Sequence, residues 1–198
     1  MRQLDCGRPE SPSPQRIPHL PADSAMWVMV IGDLLIFGAY FIIFMVHRAL
    51  NPDDFLAGQQ QLDLTVGAVN TVVLLTSSWF VARGVVAARV GNHTAAVRFT
   101  GCGAMCGALF IATKVYEWSA TAGDGHSLSE TEFFGFYYML TGVHLFHVAL
   151  GLLILGIVGR ELRTPHRCRM PMVESGAVYW HMVDLLWIVI FTLLYVMR

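Results

Sequence analysis

The sequence predicts an all-α fold, a bundle of five helices that cross a membrane. Three observations point there. The chain is 55% hydrophobic and only 14% charged, a balance foreign to ordinary soluble domains. Its apolar residues fall into five runs, each long enough to span a bilayer, since about 20 residues at 1.5 Å rise cover a hydrocarbon core roughly 30 Å thick. Polar links carrying Pro, Gly and Asp separate the runs. A net charge of −1 gives no basic face for nucleic acid. Phosphate-binding glycine loops, nucleophile elbows and zinc-protease motifs are absent from the sequence.

In chain order, residues 1–24 are rich in Pro, Ser and Arg without an apolar core. They read as a disordered cytoplasmic tail rather than a cleavable signal. Residues 25–198 read as the transmembrane domain, with spans at 25–46, 64–86, 95–118, 133–159 and 174–197. Asn51, Pro52, Asp53 and Asp54 carry a turn signature, as do Gly91 and Asn92. In the third span Gly103 and Gly107, continued by Ala104, Ala108 and Ala112, let helix backbones approach closely, and Gly142, Gly151 and Gly156 do so in the fourth. Trp27, Trp118 and Tyr195 stand near span ends, where aromatics anchor at the interface. Of the four cysteines, Cys102 and Cys106 stand four apart in an apolar run, and with Cys6 and Cys168 they imply no disulfide framework or zinc motif.

Orientation follows from the arginines. Arg2, Arg8 and Arg16 lie in the tail, Arg89 and Arg98 edge the second link, and Arg160, Arg163, Arg167 and Arg169 lie in the fourth. The first link has Arg48 against Asp53, Asp54 and Asp63, and the third has Asp124, Glu130 and Glu132 with no Lys or Arg. The positive-inside rule places the N-terminus in the cytoplasm and the C-terminus in the periplasm.

Ionisable residues inside the spans mark the candidate site, because each costs several kcal/mol in lipid and so faces protein. Glu174, His181 and Asp184 share one stripe of the last helix. Asp33 lies in the first span. Lys114 and Glu117, three apart in the third, can pair on one face. Thr141, His144 and His147 rise along one face of the fourth, at a depth that suits Asp33, His181 and Asp184. Three chemistries compete for these groups. His144, His147 and His181 could ligate a metal or haem, with Glu117 or Asp184 beside them. The set could carry protons or ions. Or it could hydrogen-bond across helices and lock the bundle.

The last span reads Tyr179, Trp180, His181, Val183, Asp184 and Trp187, and the fourth reads Thr141, Gly142, His144, His147 and Val148. Both patterns resemble signatures of the haem-copper oxidase subunit III family, the cytochrome c oxidase subunit III family. Glu117 followed by Trp118, and the stretch from Asn70 and Thr71 to Ser77 and Ser78, resemble that family too. The resemblance covers about residues 27–198. Within the family the stretches from Gly32 to Gly38 and from Val69 to Trp79 look most like the five-helix accessory protein of bacterial nitric oxide reductase, with the oxidase subunit proper as the alternative.

The chain departs from many members in having room for five spans rather than seven, so it lacks the two leading helices that form one arm of a lipid-holding cleft. It has Asp33 where Glu is frequent and Lys114 where Gln is common. The resemblance implies a non-catalytic, multi-pass subunit of a bacterial inner membrane. It implies that haem and metal reside in a catalytic haem-copper partner and none in this chain, with phospholipid as a candidate ligand only. Asp33, Glu117, His144, His147, Glu174, His181 and Asp184 then become interhelical partners, with Asp33 and Lys114 candidates for a proton-related role.

Overall fold

A computed structural model describes residues 24–123, 131–164 and 169–197. The tail before Ser24 lies outside them, as do Cys6, Cys168, Arg167, Asp124 and Glu130. Among the described residues every regular element is helical: α1 Ser24–Leu50, α2 Pro52–Gln60, α3 Leu64–Arg89, α4 His93–Gly123, α5 Glu132–Leu162 and α6 Met170–Phe191. A π-helical turn, Thr192–Val196, continues α6. Five of these helices are long and apolar enough to cross a membrane, in the order the apolar runs predict.

Local chemistry sets the helix ends. Asp63 accepts a hydrogen bond from the Thr65 amide at 2.8 Å and caps α3, and Thr131 caps α5 through the Phe134 amide. Between α3 and α4 the link is minimal. Gly91 takes φ 78°, the left-handed region that a Cβ disfavours. The Gly91 amide then reaches the Ala88 carbonyl at 3.0 Å and the Asn92 amide the Ala87 carbonyl at 2.9 Å, a Schellman closure. The Asn92 side chain at once caps α4 through the Ala95 amide at 3.1 Å.

α3, α4, α5 and α6 form the bundle, with α1 laid against α5 and α6. α6 is its centre: 61% of its most apolar window is buried, against 17–28% for the other four spans. The reason is visible at Trp180. Its ring occupies the space beside Gly107 of α4 and Gly151 of α5, where an added Cβ would lie 2.6 and 2.8 Å from ring atoms. Its Nε1 donates to Ser77 Oγ of α3 at 3.1 Å. One side chain thus joins four helices, and glycine is required wherever the ring passes.

Four expectations need correction. The turn expected at Asn51–Asp54 is instead the start of α2, because Pro at the first helical position with acids behind it is equally a helix N-terminus. α2 buries Phe55 and Gln59, and Gly58 lies against the Phe133 ring. The buried stripe of α4 is Thr100, Gly103, Gly107, Phe110, Lys114 and Glu117, at alternating three- and four-residue steps, whereas Ala108 and Ala112 are exposed. Gly156 faces open space rather than a helix. Tyr195 is no interfacial anchor but is fully buried, since the π turn, closed by a Met197 amide to Thr192 carbonyl bond of 3.0 Å, carries it inside the bundle. Trp118 is half-buried near the end of α4 and packs on Tyr138.

Candidate functional site

Apart from His144, the ionisable residues singled out in the spans sit in four separate places rather than in one network. The most enclosed group surrounds Lys114, which is fully buried. Its Nζ donates to Glu117 Oε1 at 3.0 Å, to Tyr137 Oη at 3.3 Å and to Tyr195 Oη at 2.6 Å. Tyr137 donates to the same Glu117 oxygen at 2.8 Å, and the Tyr195 hydroxyl also reaches it. The ammonium lies 4.9, 5.3 and 5.1 Å from the ring centroids of Tyr137, Trp187 and Tyr195. A cation held by a carboxylate and three π faces is the form in which a buried lysine is tolerated. α4, α5, α6 and the π turn all contribute, so the pair lies at the centre of the packing.

Asp33 of α1 and His147 of α5 form the second group, with Nε2 to Oδ1 at 3.7 Å. His147 Nδ1 lies 2.8 Å from the Val143 carbonyl oxygen and donates to it. The ring also meets the Phe37 edge at 5.3 Å. This pair is a polar link between α1 and the bundle.

His181 and Asp184 form the third, both on the side of α6 that faces α3. His181 Nδ1 and Ser78 Oγ are 2.5 Å apart. Ser78 also stands beside Asp184, whose two carboxylate oxygens are buried without a well-formed hydrogen bond among the described residues. Glu174, on the same stripe at the start of α6, forms the fourth, an ion pair with Arg89 at 2.8 Å at the exposed end of α3.

His144 belongs to none of them. It is fully buried, with neither ring nitrogen hydrogen-bonded among the described residues. It packs between Trp187, at 5.2 Å and tilted 30°, and the Phe110 edge at 5.8 Å. The expectation of a hydrogen-bonding role for His144 is therefore corrected to an aromatic one. His144, His147 and His181 each have different neighbours, and among the described residues no three His, Cys, Asp or Glu side chains gather where one metal ion could bind them.

Several partners escape sequence reasoning. Tyr195 reads as an anchor because only the π turn reveals its direction. Gln59 Nε2 donates to the Leu193 carbonyl at 2.9 Å from a helix that reads as a turn. Ser77, Ser78 and Thr71 accept from or pair with Trp180, His181 and Trp187. Their signal was present as a run of small hydroxyls at near-heptad spacing in α3.

The family described as cytochrome c oxidase subunit III matches residues 22–198. Cytochrome c oxidase subunit 3 of Thermostichus vulcanus is 32% identical over 173 residues, 86% of this chain and 84% of that one. The probable cytochrome c oxidase subunit 3 of Nocardia farcinica is 30% identical over 97% of this chain and 98% of its own length. Cytochrome bo(3) ubiquinol oxidase subunit 3 of Pseudomonas aeruginosa is 27% identical over 86% and 82%. The chain is a multi-pass membrane protein and belongs to the cytochrome c oxidase subunit III family.

Proposed function

We propose that the chain is the non-redox subunit III of a haem-copper oxidoreductase in a bacterial inner membrane. In this role it holds no haem or metal itself and supports the assembly, durability and proton supply of a catalytic partner. The observation that carries the reading is the extent of the family match, which takes in all five spans and both histidine patterns. The relatives named above are oxidase subunits, two for cytochrome c and one for ubiquinol. Their names favour an oxygen-reducing partner over the nitric oxide reductase that the Gly32–Gly38 stretch suggests. The arginine asymmetry supports a cytoplasmic N-terminus.

Within the subunit, the Lys114 and Glu117 bonds to Tyr137 and Tyr195, the Asp33–His147 pair and the His181–Ser78 contact act as interhelical fasteners. Single bonds of this kind in membranes are worth only about 0.6 kcal/mol on average, so they select one packing more than they stabilise it. Asp33, at the surface of the bundle, and Lys114, fully enclosed, are the candidates for a proton-related role. A pull-down of the tagged chain in mild detergent, with an optical spectrum and metal analysis, tests the whole reading. A colourless, metal-free chain that brings down a haem-bearing partner is expected, and the partner's reaction separates oxygen from nitric oxide. A chain coloured in isolation overturns it. His181→Leu or Asp184→Leu is expected to lower the yield of that complex while leaving the haem spectrum of what assembles unchanged.

A further inference from the structure

At the end of the bundle away from Arg89 and Arg98, a pocket of about 240 Å³ opens between the α2–α3 link and the last turns of α4. Leu62, Asp63, Val66, Tyr116, Glu117 and Ala120 are among its lining residues. We propose that this pocket receives an arginine side chain of the catalytic partner, its guanidinium on Glu117 and Asp63 and its stem along Leu62 and Val66. The inference rests on the chain being a subunit of a larger complex, and it names one contact that holds the partner.

Glu117 supplies the first argument. Its Oε1 accepts from Lys114, Tyr137 and Tyr195, whereas its Oε2 is buried with no hydrogen bond among the described residues. The side chain is only 9% exposed, and a buried carboxylate oxygen without a donor costs stability. With Oε1 turned to the lysine and the two tyrosines, Oε2 is the oxygen left for the pocket. Asp63 brings a second carboxylate to the rim, where it is exposed and also caps α3. Lys114 balances one of the two negative charges and leaves the other uncompensated. No Lys, Arg or His is among the lining residues.

The walls decide for a side chain over a bare ion. Leu62, Val66 and Ala120 have no ligand atoms in their side chains for a metal, but they suit the methylene stem of an arginine. Tyr116, 75% exposed, offers a ring on which a guanidinium plane can stack. A planar fork of five donors serves two carboxylates at once, which a compact ammonium does less well. The chain has no residue of its own for the place. Lys114 is already enclosed, residues 124–131 include no Lys or Arg, and Arg48 lies on α1, outside the lining. A charged floor within an apolar and aromatic surround is also the anatomy of an interface anchor.

The test begins with the full chain in mild detergent and two short capped peptides. One has arginine between two glycines; the other has citrulline there, the same shape without the charge. Saturation-transfer NMR is expected to show contact with the arginine peptide and none with the citrulline peptide. Ala120→Trp, which fills the pocket from its exposed side and leaves Lys114 and Glu117 in place, should abolish that contact. Asp63→Asn keeps a good helix cap and should weaken binding roughly threefold, as for one exposed ion pair. Equal contact by both peptides overturns the proposal, as does undiminished contact in Ala120→Trp. Displacement of the arginine peptide by millimolar Ca²⁺, but not by Na⁺ at equal ionic strength, overturns it in favour of a metal ion. In the assembled complex, a benzophenone photo-crosslinker in place of Gln61 should capture a partner segment that contains an arginine, identified by peptide mass spectrometry. Capture of a segment without one, or no capture in a complex that retains its partner, overturns it. Failure to recover any haem-bearing partner counts against the subunit reading instead, and the peptides then decide on the pocket alone.

Discussion

Lys114 and Glu117 state the physical problem of the molecule at the scale of the residue. A buried ion pair contributes little net stability, because desolvation offsets the Coulomb attraction, yet removing one partner leaves an uncompensated charge. Lys114→Met is therefore expected to destabilise the bundle by about 3 kcal/mol, while Lys114→Met/Glu117→Gln should recover most of that loss. Denaturation in mixed detergent micelles, read by helix content, measures both. If the double variant is no more stable than the single, the pair is not acting as a coupled unit. The pairing itself was legible in the sequence, since a spacing of three places both groups on one face. Their tyrosine partners were not, because Tyr137 and Tyr195 stand 20 and 78 positions from Glu117.

Among the elements, α2 shows where local reading fails. A signature of Asn, Pro and two Asp serves a turn and a helix start alike, and only burial separates them. Phe55 packs edge-on against Phe44 and Phe133 at 5.3 and 5.8 Å, and Gln59 reaches the Leu193 carbonyl. The short helix thus closes that end of the bundle over the π turn that delivers Tyr195. Gln59→Leu is expected to cost about 1 kcal/mol through the lost bond and the unpaired carbonyl. Amide exchange should quicken in residues 52–60 and 192–197 and stay unchanged in α4. Exchange confined to α2 alone would mean that the two segments are not coupled.

The whole molecule is a run of spans with more of its arginines at one end than at the other. With the four cysteines replaced by alanine, a cysteine at Asp53 should react with an impermeant maleimide from the periplasmic side. One at Thr164 should react only after the membrane is opened. The reverse pattern would invert the topology.

What the sequence alone determined is the class of the molecule: five spans, their order, their ends to within a few residues, the stripe on α6 and the family. All of these rest on composition, helical period and local motif, which a single chain segment carries. What only the tertiary structure decided is which polar residues meet. His144 became a packing residue between Trp187 and Phe110, Asp33 found His147, and Lys114 drew in Tyr195 from a turn whose widening nothing local announces. Period fixes the face of a helix. The partner across from it depends on how far each helix slides and rotates to fit Trp180 between Gly107 and Gly151, and that is settled by packing over the entire bundle.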